Sequence, residues 1–380
     1  MAFLDKVKEN VNLKEGVAKI TAKVSDLAQS GKEKGQELLH RNKTGEENVS
    51  EEEMEEKGSK MLEVLDWAFD KANGNIPGLG SSSDMAKRYL DKYGNVNTAI
   101  NHLVNWQITS SATTGFVTSF GGLPTMAVTL PANVAGVMGI QLRMIGAIAE
   151  LGGYHENTEE KKTGMYLCLL GSQAGNVLSK TAGQFAVKFT TASLKKLPGA
   201  VLTKINQAVG FRLFTKFGQK GLVNIHKAIP VLGGVVGGTV DAMSTYAIAK
   251  AAKALFLNEI IDFEKQEQIE IAKAKLILNM ALVDGDFSQD EGDLLKVLVG
   301  SMNISDKSRI LLFAEIDNPK QQKVDLNIFK DDLMNATTLL SGMAQLAKAD
   351  GTLHPAEKLY LQTLGHELGY ADDALKVLLE

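Results

Sequence analysis

The chain has 380 residues, a formal charge of −4 from 41 basic and 45 acidic side chains, and a single cysteine. Basic and acidic residues alternate along most of it, which excludes a strong basic face and with it nucleic acid as the main partner. One cysteine, Cys168, excludes an intramolecular disulfide and any multi-cysteine zinc or iron–sulfur centre, and fits a reducing compartment.

A chain of this length predicts two or three cores, and abundant Ala, Leu, Lys and Glu with few alternating apolar runs predict an all-α fold. The first ten residues, MAFLDKVKEN, have mixed charge and no apolar signal-like run, so a cytoplasmic location is expected. Residues 1–43 form an arm in which Leu13, Val17, Ile20, Val24 and Leu27 make one helical stripe. At about 100° per residue, Lys14 lies on one flank of the stripe and Lys19 and Lys23 on the other. A helix lying on an anionic lipid surface has this arrangement, with the lysine stems reaching toward headgroups. The alternative is that the stripe packs on the body of the protein or forms a coiled coil.

The stretch 44–59 is strongly acidic and reads as a solvated linker or the start of a helix. Helical periodicity returns in KMLEVLDWAFDKA and stops at GNIPGLGSSSD, where Asp84 is expected to cap the next helix. No charged residue occurs between Lys92 and Arg143, and Pro124 and Pro131 punctuate the run. A second apolar, glycine-rich stretch, IPVLGGVVGGTVDAMSTYAIAKAAKALF, sets Gly233/Gly237 and Gly234/Gly238 at small-xxx-small spacing. Both approach membrane-spanning length, but Asn, Gln and His in the first and Asp241 in the second favour buried helices of a soluble core over insertion.

These two segments carry a resemblance. LPANVAGVMGIQLRMIGAIAELGGY and the second glycine-rich stretch make the region 60–258 resemble the EcsC family, named for a hydrophobic protein that accompanies an ABC transporter. The resemblance implies a helical domain without an assigned reaction, and it brings Asn133 and Asp241 to places where a buried polar pair would link the two segments.

Residues 262–380 contain an internal repeat, ALVDGDFSQDEGDLLKVLVGSMNISD against AKADGTLHPAEKLYLQTLGHELGYAD. Ala281, Asp284, Gly285, Glu291, Leu295 and Asp306 match Ala347, Asp350, Gly351, Glu357, Leu361 and Asp372 at a constant offset. The pattern resembles TerB, a helical bundle whose Ala-x-x-Asp-Gly turns deliver acid pairs, and the resemblance implies metal binding and a metal-stress role. Asp284, Asp286 and Glu291, with Asp350 and Glu357, are then ligands for Ca²⁺ or Mg²⁺. The loop is not an EF-hand, and Thr352 stands in the second turn where the first has Asp286, so unequal sites are expected. Capping alone also accounts for the motif: Gly supplies a positive φ, Ser288 or His354 starts the next helix, and the glutamate completes a capping box.

No phosphate loop, dinucleotide fingerprint, zincin motif or nucleophile elbow occurs. Trp67, Trp106 and Cys168 read as core residues, and no enzyme is expected. The expectation is a bacterial stress-response adaptor on the inner face of the cell membrane, partnered by lipid or an apolar protein. The alternative is a soluble homo-oligomeric scaffold.

Overall fold

The computed structural model describes residues 51–74, 80–111, 132–182, 189–217, 244–283, 285, 287–330, 332–347 and 354–379. Among these there is no strand, and the fold is all-α. The chain divides into two compact units, one within 48–223 and 244–267 and one including 268–380.

In the first unit, α1 (Glu51–Asn73) opens within the acidic stretch of the sequence. The acidic stretch is thus helix from Glu51 onward. Met61, Val64, Leu65, Ala68, Phe69 and Ala72 recur at helical spacing and are buried. They face α4 (Ala132–Leu151) and α8 (Gly199–Phe217). At the α1–α8 crossing, a Cβ on Gly210 would lie 2.5 Å from the carbonyl oxygen of Gly58, so both helices need glycine there.

The second helix, α2 (Ser82–Tyr93), corrects one expectation. Its cap is Ser81, not Asp84. Ser81 Oγ accepts from the Asp84 backbone N–H at 3.1 Å, and the Asp84 carboxylate accepts from the Ser81 N–H at 2.9 Å. The reciprocal box needs the serine first and the acid three residues later, so the helix starts earlier. Gly94, at φ +68, ends it, and α3 (Val96–Ser111) follows.

Along α4 the chain is buried on nearly every face from Ala147 back to Met138, the signature of a central helix. Arg143 sits inside this run, donating from Nε to the Gly80 carbonyl at 3.1 Å, and desolvation pulls its guanidinium down to about 10. Packed on α4 are α1, α2, α3 and α5 (Glu159–Cys168), and the chain goes on through α6 (Ala174–Ala182), the single turn α7 (Thr191–Leu194), α8 and a helix α9 over 244–256. Lys161, almost fully buried, is neutralised by Glu150 at 3.0 Å, and Tyr166 donates to Asp66 at 2.6 Å.

Trp67 packs against this core, whereas Trp106 is 42 % exposed, contrary to expectation. The buried stripe of α3 is Ala99, Ile100, Leu103, Val104 and Gln107, and Trp106 falls outside it. Cys168 is fully buried in the core, and burial pushes its thiol well above the usual range.

The second unit holds α10 (Phe263–Ala281, from Gln268 on), α11 (Gln289–Ser301), α12 (Asp306–Asp317), α13 (Leu333–Ala347), α14 (Pro355–Glu367) and α15 (Asp372–Leu379). The repeat is therefore a three-helix unit, with α10–α12 echoed by α13–α15. Ile277, Leu298, Leu339, Leu340, Met343, Tyr360, Leu361 and Leu364 form a single buried cluster, to which both copies contribute. Each such side chain contributes about 1.5–3 kcal/mol on leaving water. No described helix is long and apolar enough to cross a membrane.

Candidate metal site at the duplicated turns

In each copy the motif lies in sequence between the first helix and the second. In the first copy, Gly285 takes φ +89, a conformation that side chains strain to adopt, and Ser288 is extended. Ser288 Oγ accepts from the Glu291 N–H at 3.2 Å. The Glu291 carboxylate accepts from the Ser288 N–H at 2.7 Å and from its hydroxyl at 2.8 Å. In the second copy His354 replaces serine as the cap. Its Nδ1 accepts from the Ala356 N–H at 3.3 Å, Pro355 occupies the first helical position, and Glu357 accepts from the His354 N–H at 3.2 Å.

The two glutamates of the expected ligand set are thus placed at equivalent helix starts, each with an oxygen committed to its own cap. Asp284, Asp286 and Asp350 lie outside the described residues. Among the described residues no group of three or more His, Cys, Asp or Glu side chains stands where it could hold an ion. The arm residues Leu13, Lys14, Val17, Lys19, Ile20, Lys23, Val24 and Leu27 and the acid Asp241 also fall outside them. Asn133 begins the first turn of α4, but its side chain is not described.

Around the turns the second unit carries polar groups that sequence reading did not single out. Lys273 is completely buried, and its ammonium donates to Glu270 at 2.7 Å, one turn back on α10. The repeat places Ala336 and Leu339 at the equivalent positions of α13, and both are buried. One copy therefore keeps an ion pair where the other packs hydrocarbon. Comparing the two copies position by position would have exposed the pair.

Asn279, two residues before the turn's Ala281, holds the inter-repeat connection. Its Nδ2 donates to the Gln322 carbonyl at 2.9 Å, and its Oδ1 accepts from the Gln322 N–H at 2.7 Å. Tyr360 crosses from the second copy to donate to the Leu276 carbonyl at 3.3 Å, and burial pushes its phenol well above the ordinary value. These bonds tie α10 to the inter-repeat connection and to α14.

Residues 270–378 match the family described as Tellurite resistance protein TerB, so the second unit contains a TerB domain. No EcsC match accompanies it. No curated protein and no solved structure matches the chain.

Proposed function

We propose that the chain is a non-catalytic stress-response adaptor in which the TerB domain binds a divalent cation and the arm and first unit associate with a lipid surface. The observation that carries this reading is the duplicated Ala-x-x-Asp-Gly turn inside a segment that matches TerB. The match ties the domain to tellurite resistance. The turns supply what a hard cation needs, with Asp284, Asp286 and Glu291 in one copy and Asp350 and Glu357 in the other.

Support for the lipid half comes from the lysine-flanked stripe of residues 13–27, the uncharged run between Lys92 and Arg143, and the resemblance of residues 60–258 to EcsC proteins. Association of this kind is peripheral, on the inner face of the cell membrane.

Sedimentation of the full chain with neutral and anionic liposomes, with and without Ca²⁺ or Mg²⁺, tests both halves. Salt-sensitive pelleting with anionic vesicles, abolished by deleting residues 1–43, is the expected result. A melting temperature unmoved by millimolar Ca²⁺, Mg²⁺ and Mn²⁺ would remove the metal half, since a cation that binds only the folded state raises it.

A second reading, a homo-oligomeric scaffold without lipid binding, is favoured by one observation: α12 turns a row of apolar side chains to solvent.

A further inference from the structure

Helix α12 buries only Leu312 and Ile316. Its outer face, read along the helix, is Lys307, Ile310, Leu311, Ala314 and Asp317, all exposed. At about 100° per residue these five fall within a third of the circumference, so they form one stripe. Ile310 and Leu311 are 60 % and 58 % exposed, a pair of adjacent large apolar side chains left in water on a regular helix.

The fold does not ask for an apolar side chain at Ile310. In the second copy Lys376 takes the place of Ile310 and is also exposed on the equivalent helix, Asp373 that of Lys307, and Val377 that of Leu311. The same three-helix unit thus forms with a charged residue at the position of Ile310, so the exposed isoleucine of α12 serves something other than folding.

Its charge order identifies the occupant. Lys307 stands one turn before the apolar centre and Asp317 at the other end, the acid half exposed although it is also paired with Lys296. If a second α12 runs antiparallel, with the two-fold axis beside Leu312, Ile310 lies over Ala314 of the second copy. Leu311 of each copy meets across the axis, and Lys307 faces Asp317 of the second copy at both ends. A parallel arrangement would set like charges against each other.

We propose that the exposed face of α12 is an isologous two-fold interface between copies of this chain. The inference rests on the homo-oligomeric reading and names its contact surface, and it needs neither lipid nor metal. A 12-residue helix is about 18 Å long, so a single helix pair buries an area at the weak end of specific interfaces. The dimer is therefore concentration-dependent, and the charged ends make it salt-sensitive.

Sedimentation equilibrium of the full chain across micromolar to millimolar concentration tests it, alongside Leu311→Glu and Leu311→Cys. The expected result is a mass rising from 40.9 kDa toward about twice that value, with association weakened at least about tenfold in Leu311→Glu and unchanged helicity by circular dichroism. Under mild oxidation Leu311→Cys should form a disulfide-linked dimer, while Lys376→Cys on the equivalent face of the second copy should not. Cys168 is buried and stays out of the reaction. Self-association that Leu311→Glu leaves intact would overturn the interface while sparing the oligomeric reading. A monomer at every concentration would overturn both.

Discussion

Replacing Glu270 and Lys273 with the residues their own duplicate uses is the sharpest test of how the TerB domain is held together. Both groups are buried, with Lys273 wholly inaccessible and its single bond to Glu270 at 2.7 Å. Lys273→Leu alone leaves a carboxylate buried without its counter-charge, and Glu270→Ala alone leaves an ammonium; each should cost about 3–5 kcal/mol. The double substitution Glu270→Ala/Lys273→Leu recreates the Ala336/Leu339 arrangement and should be neutral or stabilising by up to about 4 kcal/mol. A two-unit chain does not unfold as one transition, so amide exchange of peptides from 268–380 is the better measurement. At roughly 1.4 kcal/mol per decade, either single change should speed the slowest α10 amides by about two to three and a half orders of magnitude. Both tryptophans, Trp67 and Trp106, belong to the first unit, so their fluorescence transition is an internal control expected to stay in place. If the double variant exchanges faster than either single one, the pair is packed by more than its mutual attraction and the reasoning fails.

Other outcomes follow from single contacts. Ser288→Ala removes a cap that satisfies a helix-start N–H and should destabilise the TerB domain by about 1 kcal/mol, seen as faster exchange confined to α11. Gly210→Ala puts a Cβ against the Gly58 carbonyl and should lower the tryptophan-monitored transition by about 1–3 kcal/mol, with Gly210→Val worse. Cys168 should resist thiol reagents in the native protein and react only on unfolding. Its folded-state thiol is held above its unfolded value of about 8.5, so that contribution is complete below this pH and is lost as pH rises beyond it. Urea midpoints measured between about pH 7 and 10 should therefore fall on the alkaline side, and Cys168→Ala should flatten that slope.

Much of the fold was legible because the helices are amphipathic and the repeat is printed in the chain. The stripe from Met61 to Ala72, the turn at Gly285 and the box of Ser288 with Glu291 follow from spacing and residue type alone. Where reading failed, two rules competed. Serines 81 to 83 and Asp84 all offer cap chemistry, and only the reciprocal geometry selects Ser81. Trp106 was expected inside because large aromatics usually are, but its position on α3 points away from the buried stripe. A Glu and Lys one turn apart normally mark a solvated helix face, so Glu270 and Lys273 gave no sign of burial. Of the candidate site, the two glutamates were placed as expected at helix starts, while the aspartates lie outside the described residues.

The clamp between Asn279 and Gln322 bears on how copies of this chain can meet. Duplicated helical units joined by a connector are natural candidates for exchange, in which one molecule lends its second half to another. Here the connector is stitched to the first half by two short bonds, and Tyr360 reaches across to the Leu276 carbonyl. Lending a half would mean breaking all three bonds before any are remade. The connector therefore acts as a latch that keeps each pair of halves at home.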